Sequence, residues 1–484
     1  MRTATPKHHL TTPGITRSHP HNSRSAPVAA CASRLTRLTA TTLLTLLMLL
    51  LAARPASAHT ELSSSVPSDG ASIARLAQVQ LRFSRGIELL GDTLTVTGTN
   101  ASWDGVVDAV RREDGMVVDI TLSPPVPPGD WQLDWQILAE DSHPRRGVLM
   151  VTVAASATPE TRTDDRTAPD VPNTPADSLV PVSRQPPRVA LFQLLAGLSR
   201  IVMYLGLMAA AGLALFKAGP HRGEGARATG LALAAGRLAM VALVASILEV
   251  LFHVGGLAGD GAAGLLDGAT WSAVLRTGLG RALVVRTVGL GLLAYGGIRR
   301  ARAGLPSGPD AIKLVGAALS LLSFQLVGHT ASTAPELVIR TADLVHVVAA
   351  AVWVGGLLGL LLLGGSSDVD GRARTAARFS SAAIVAVIAV AVAGTTLAVI
   401  TLPSLMSVLS TTYGRVLLLK LAVVGVLGVL GAHNHRIVVP AIGSPDPVAS
   451  SAALHQLKRT VALESVLMVG VLALTAVLVS LSPR

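Results

Sequence analysis

Trp131-Gln132-Leu133-Asp134-Trp135-Gln136-Ile137 alternates apolar and polar side chains at every step, the period-two pattern of a half-buried β-strand. The same alternation runs through Val79-Gln80-Leu81-Arg82-Phe83 and Leu94-Thr95-Val96, and turn signals such as Pro127-Pro128-Gly129-Asp130 separate the runs. Short strands at this spacing predict that residues 59–155 form an all-β, immunoglobulin-like sandwich. Just beyond the Trp131 strand, Ala139-Glu140-Asp141-Ser142-His143-Pro144 sets a carboxylate and an imidazole two positions apart. In extended chain that spacing puts both on one face, although a D-x-H pair alone reads equally well as a solvated turn.

A third group comes from the other end of the domain. The apolar run Leu43 to Ala53, with Arg34 and Arg37 before it and Ala56-Ser57-Ala58 after it, has the layout of a secretory signal over residues 1–58. The competing reading keeps the apolar run as an anchor. Cleavage after Ala58 makes His59 the first residue of the mature chain, where its free α-amine and its imidazole close a chelate ring that an internal histidine cannot form. One amine, two imidazoles and one carboxylate (His59, Asp141 and His143) suit tetragonal Cu(II), which tops the affinity order for such donors; zinc fits the same set. The single cysteine, Cys31, leaves with the signal, so soft copper chemistry falls to methionine.

With 484 residues, half of them hydrophobic and 14% charged, the chain is too apolar for an ordinary soluble protein and long enough for two domains. The net charge of +11 does not point to nucleic acid, because the basic residues fall in short loops between apolar spans. Residues 156–188 are rich in Pro, Thr and Asp and read as an extended tether. From 189 to 484 follow eight stretches long enough to cross a hydrocarbon layer about 30 Å thick: residues 189–216, 230–252, 273–298, 312–330, 341–364, 379–402, 414–434 and 460–481. This predicts an all-α membrane bundle of about eight transmembrane helices. Basic residues recur in alternate loops (Lys217 and Arg222; Arg299, Arg300 and Arg302; Arg372, Arg374 and Arg378; Lys458 and Arg459), whereas Asp260 and Asp267 sit in an opposite one. By the positive-inside rule the sandwich lies on the extracytoplasmic side of the cytoplasmic membrane.

Polar groups inside spans are costly and mark pathways or partners. His253, His329 and His346 fall near the outer face of three spans, with Glu249 and Asp343 on the faces of the first and last of these histidines. Met203 and Met208 form a soft pair in the first span, and His433 opens the inner Gly431-Ala432-His433-Asn434-His435 segment. Each has an ordinary packing or interfacial reading as well.

These residues carry a resemblance. The sandwich resembles the CopC copper-resistance family in His59, in Leu62-Ser63-Ser64-Ser65-Val66-Pro67-Ser68-Asp69-Gly70, in Leu81-Arg82-Phe83-Ser84 and in Trp135…Asp141-Ser142-His143-Pro144…Gly147. The membrane part resembles the CopD family through Leu326-Val327-Gly328-His329, through His346 to Gly356, and through Tyr413 to Lys420 with Ala432-His433-Asn434. Their order is that of CopC–CopD fusions. The resemblance implies Cu(II) on the His59 amine and imidazole, Asp141 and His143. Members with a Cu(I) site carry a methionine-rich loop, whereas Met116 and Met150 here are isolated; Arg85 replaces an acidic residue of some members, and Glu88 is the nearby group that could offset it. The expected function is copper import, with copper ions and the lipid bilayer as partners, Cu(I) in the membrane pathway, no enzymatic activity, and a copper chaperone left open. The alternatives are a membrane-anchored copper redox enzyme and a copper sensor or buffer.

Overall fold

The computed structural model describes residues 60–99, 101–139, 144–154, 187–221, 226–257, 263–303, 311–327, 335–363, 369–402, 404 and 406–481. His59, Asp141, His143 and His329 lie outside these residues, as do the signal segment and most of the tether.

Eight strands form two sheets. The first holds β1 (Leu62–Val66), β3 (Leu76–Phe83), β6 (Val117–Val126) and β5 (Val106–Arg112) in the order β1-β3-β6-β5. The second holds β2 (Ala71–Ile73), β8 (Pro144–Val153), β7 (Gly129–Ala139) and β4 (Ile87–Gly98) in the order β2-β8-β7-β4. All pairs are antiparallel except β2 with β8. The inward positions of the predicted alternation make the core: Leu76, Val79, Leu81 and Phe83 from β3 face Trp131, Leu133, Trp135 and Ile137 from β7. Trp135 stands opposite Gly147 in the β7–β8 register, and a Cβ on that glycine would come within 2.3 Å of the indole. Only glycine leaves room for the ring there.

Alternation fails at one place. Ile137, Leu138 and Ala139 are consecutive in β7 and all fully buried, although Leu138 points away from the sandwich core. Leu138 and Leu90 of β4 instead pack into a separate apolar cluster with Val250, Val254, Leu257, Ala273, Val274 and Leu279 of the helical region. The sandwich is seated on the helices through an outward face.

The helices are α1 (Pro187–Ala218), α2 (Ala226–Leu257), α3 (Gly268–Arg276), α4 (Gly278–Ala303), α5 (Ala311–Leu322), α6 (Glu336–Leu363), α7 (Val369–Thr401), α8 (Thr412–His433) and α9 (Pro447–Ser480). Among the described residues, seven helices are long and apolar enough to cross a membrane: α1, α2, α4, α6, α7, α9, and α8 with its continuation to Ile442. The fourth apolar stretch forms a shorter helix, Ala311–Leu326, whose end tightens into a 3-10 turn at Ser323–Leu326. Ser320 and Ser323 there turn their hydroxyls onto the carbonyls of Gly316 and Ser320, at 2.8 and 2.7 Å, a local bonding that competes with regular helix. The third stretch is also cut, at Thr277, so that α3 forms a separate short helix before α4. Asp267 caps α3, accepting from the backbone N–H groups of Ala269 and Thr270. Where α1 crosses α6, Gly212 and Gly355 meet backbone to backbone, and a Cβ on Gly355 would lie 2.0 Å from the Gly212 carbonyl carbon. Small residues at such a crossing let membrane helices gain van der Waals contact along their length.

Candidate metal centre

Strand order gathers the chain segments next to the expected ligands at one end of the sandwich. Leu62, the first residue of β1, pairs with Phe83 at the end of β3; the chain then enters β4, where Ile87 pairs with Ala139, the last residue of β7. Leu138 pairs with Pro144, the first residue of β8. Thr60, Ala139 and Pro144, which flank His59 and the 140–143 segment in sequence, therefore share that end. The Phe83 and Trp135 rings meet edge to face beneath it, with centroids 5.5 Å apart.

Charge at this end is paired. Arg82 and Glu113 form an exposed ion pair at 2.7 Å, and their hydrogen bond holds the Glu113 carboxyl below the usual carboxylate range. Glu88 lies 2.7 Å from Arg111 and 4.0 Å from Arg276 of α3, so its carboxylate is already engaged by other cations than Arg85. Arg85 itself is half-buried.

Next to the seat, at the same end of α2, the helices carry a second constellation. Val254 contacts the sandwich and His253 adjoins it in sequence, while one turn back Glu249 is clamped by Arg200 of α1 at 2.7 Å and Arg286 of α4 at 3.4 Å. Arg286 is 2% exposed, donates to Ser323 at 3.1 Å and lies over the Phe324 ring; Arg200 donates to Ser480 at 2.6 Å. Two guanidinium groups on one carboxylate leave this region net positive, and Glu249 is occupied as a structural anion. Met203 and Met208 are buried in the apolar core of the bundle, with Tyr204 against Phe324.

A different cleft runs between α6 and α7 on one side and α8 and α9 on the other. It encloses a cavity of about 280 Å³. Outward of it on the same helices, Gln325 donates to Asp343 at 2.6 Å, and Lys420 of α8 lies close enough to act electrostatically on both Asp343 and His346. His346 Nδ1 donates to the Val390 carbonyl of α7 at 3.2 Å, which leaves Nε2 with the free lone pair. At the cavity α8 passes into a π turn, Asn434–Val438, a distortion that often accompanies function. His433 receives a hydrogen bond from Gln456 at 3.0 Å, whereas His435 lines the cavity and shares a 2.7 Å hydrogen bond with Ser380. Asn434 donates to the buried Glu464 at 2.7 Å and accepts from Thr460. Among the described residues no group of three or more His, Cys, Asp or Glu is placed to hold a metal ion.

Sequence reasoning missed the Arg200–Glu249–Arg286 clamp and the Asn434–Glu464 pair. Glu464, a lone carboxylate inside an apolar span, was itself a visible signal.

Family profiles cover both halves: a CopC domain over residues 62–154, a copper resistance protein D-like N-terminal domain over 191–339, and copper resistance protein D over 373–478. Copper resistance protein C of Escherichia coli is 30% identical over 105 residues, which span 20% of this chain and 83% of that protein. This chain belongs to the CopC–CopD fusion family of copper-resistance proteins. The fusion also matches copper resistance protein C of Pseudomonas syringae pv. tomato, at 33% identity over 104 residues, 20% of this chain and 82% of the relative. A crystal structure of PcoC, a methionine-rich copper resistance protein from Escherichia coli, aligns at 27% identity over 20% of this chain and 98% of that one, with a TM-score of 0.17. Copper binding and copper resistance are thus the business of both halves of this CopC–CopD fusion, and its long apolar helices make it a multi-pass membrane protein. CopC and CopD are families of binding and transport proteins.

Proposed function

We propose that this CopC–CopD fusion carries copper inward across the cytoplasmic membrane. The exported sandwich captures Cu(II) through the His59 amine and imidazole, Asp141 and His143, and the bundle receives copper at the histidines His253, His329 and His346. Met203, Met208 and His433 are the further groups assigned to the membrane route; passage as Cu(I) takes one electron per ion from an external reductant between capture and entry. The observation that carries this reading is the seat of the sandwich: Leu138, two residues before the 140–143 segment, shares one apolar cluster with Val254, next to His253. The end of the sandwich that bears the segments flanking all three capture ligands is thereby held over the helices. A tether alone would leave capture and transfer to chance encounter; a docked domain raises the local concentration of cargo at the receiving groups.

The side of the membrane follows from charge. The docked end of the bundle carries Asp267, and the basic residues Arg374 of α7 and Lys458 of α9 lie toward the other. Of the two described receiving histidines, His346 is the better placed to receive a cation, because Asp343 balances Lys420 beside it, while the clamp beneath His253 is net positive.

Copper accumulation in cells expressing the wild type or His329→Ala plus His346→Ala tests the receiving site; equal accumulation would overturn it. For the capture site, one extra residue placed before His59 removes the chelating amine and is expected to abolish tight Cu(II) binding. Unchanged binding, read by electron paramagnetic resonance of the bound Cu(II), would exclude the amine as a ligand.

A further inference from the structure

Three intramembrane carboxylates have different company. Glu249 is held by two arginines, and Asp343 by Gln325 with Lys420 nearby. Glu464, 3% exposed, is held only by the neutral Asn434 amide, and among the described residues no cation lies within ion-pair distance of it. A buried carboxylate without a counter-cation is costly as an anion and is relieved by taking up a positive occupant, either a proton or a metal ion. It borders a cavity of about 280 Å³ that also receives His435, with Trp353 and Phe379 among its apolar walls. Ser380 bonds His435 through Nδ1, so with the proton on that nitrogen Nε2 is oriented as a free donor, the arrangement that outer-shell partners impose on metal-binding histidines.

We propose that this cavity is an inner copper station, in which the Glu464 carboxylate and His435 Nε2 hold the ion on its way to the cytoplasmic face. The inference rests on the import reading and goes beyond it by placing the inner half of the route between α6–α7 and α8–α9. Val387, on the cavity wall, is one helical turn from Val390, whose carbonyl orients His346. The station therefore lies about one helical turn inward of the receiving histidine along α7. Two side-chain donors hold an ion weakly, which suits transit, since a conducting site must admit its ion and also release it. The π turn supplies the geometry: its wider winding carries Asn434 to Glu464 and His435 to Ser380 from consecutive positions.

The test uses the full chain reconstituted in vesicles and, separately, loaded with Cu(I) under anaerobic conditions against a chromogenic competitor. Glu464→Gln keeps the bond to Asn434, and with His435→Ala it is expected to lower copper flux by about tenfold or more. Both variants are expected to reduce the Cu(I) stoichiometry of the full chain while leaving Cu(II) binding by the sandwich intact. Ser380→Ala is expected to weaken Cu(I) binding less than His435→Ala. Flux and Cu(I) stoichiometry at wild-type levels in both variants would overturn the station and leave import standing. Flux lost with Cu(I) stoichiometry unchanged would also overturn it, assigning Glu464 to protons. Wild-type chain that moves no copper, yet loses Cu(I) in both variants, would overturn import and retain the site.

Discussion

At the scale of single residues, the groups that decide behaviour are those whose partners cannot be replaced by water. Glu249 is the anion shared by Arg200 and Arg286, so Glu249→Ala leaves two buried guanidinium groups facing each other. Truncating one partner of a buried ion pair costs about 3–5 kcal/mol, and thermal unfolding of the full chain in lipid discs should show a loss of that size. Asp267 gives a contrasting case at the water-exposed edge. Its hydrogen bonds, foremost that from Thr270, hold its carboxyl below the usual range. A depressed carboxyl stabilises the fold above its unfolded pKa and stops doing so as pH falls through its folded one. Amide exchange in α3 should therefore quicken on acidification below about pH 4, and Asp267→Ala should quicken it at neutral pH by about 1 kcal/mol of lost capping. At this scale the sequence offers His59, Asp141 and His143 as a candidate donor set on their chemistry alone, and all three lie outside the described residues; the importance of Glu464 depends on which neighbours it lacks, and no spacing rule lists absent neighbours.

At the scale of elements, β7 and the α1–α6 crossing carry the argument. The Trp131 to Ile137 alternation predicts a strand with one core face, and β7 obeys it until Leu138. Three apolar residues in a row are a visible break in period, but the partner that buries Leu138 comes from helices more than a hundred positions away. Leu138→Ala should weaken docking by about 2–5 kcal/mol, measurable as faster amide exchange in α3 with the sandwich itself unchanged; exchange equal to wild type would mean that Leu138 does not hold the seat. Gly355→Leu should be worse, because its side chain would enter the Gly212 backbone, and the expected result is loss of the assembled bundle in detergent. The third and fourth apolar stretches show what hydropathy leaves out. The third spans as Gly278–Arg299 after a break at Thr277, and the fourth tightens into a 3-10 turn at Ser323–Leu326, beside the back-bonded serines at 320 and 323. Hydropathy reports transfer to lipid and is blind to such local hydrogen bonding.

For the molecule as a whole, the expectation is a vectorial machine with its capture domain fixed over its membrane route. Cysteines introduced at Asp267 and at Arg374 should react with impermeant reagents from opposite sides of sealed vesicles; labelling from one side would overturn the topology. The sequence by itself determined the class of each half, because each rests on local composition or period, and it named the candidate copper ligands and the alternation of charge along the chain. Only the tertiary structure decided that the sandwich is seated rather than merely tethered. It also decided that Glu249 is spent on arginines while Glu464 is not, and that the cavity is lined by Glu464 and His435 rather than by the buried methionines. Those outcomes depend on which distant segments share space, and burial, ion pairing and cavities are properties of that shared space rather than of any one stretch of chain.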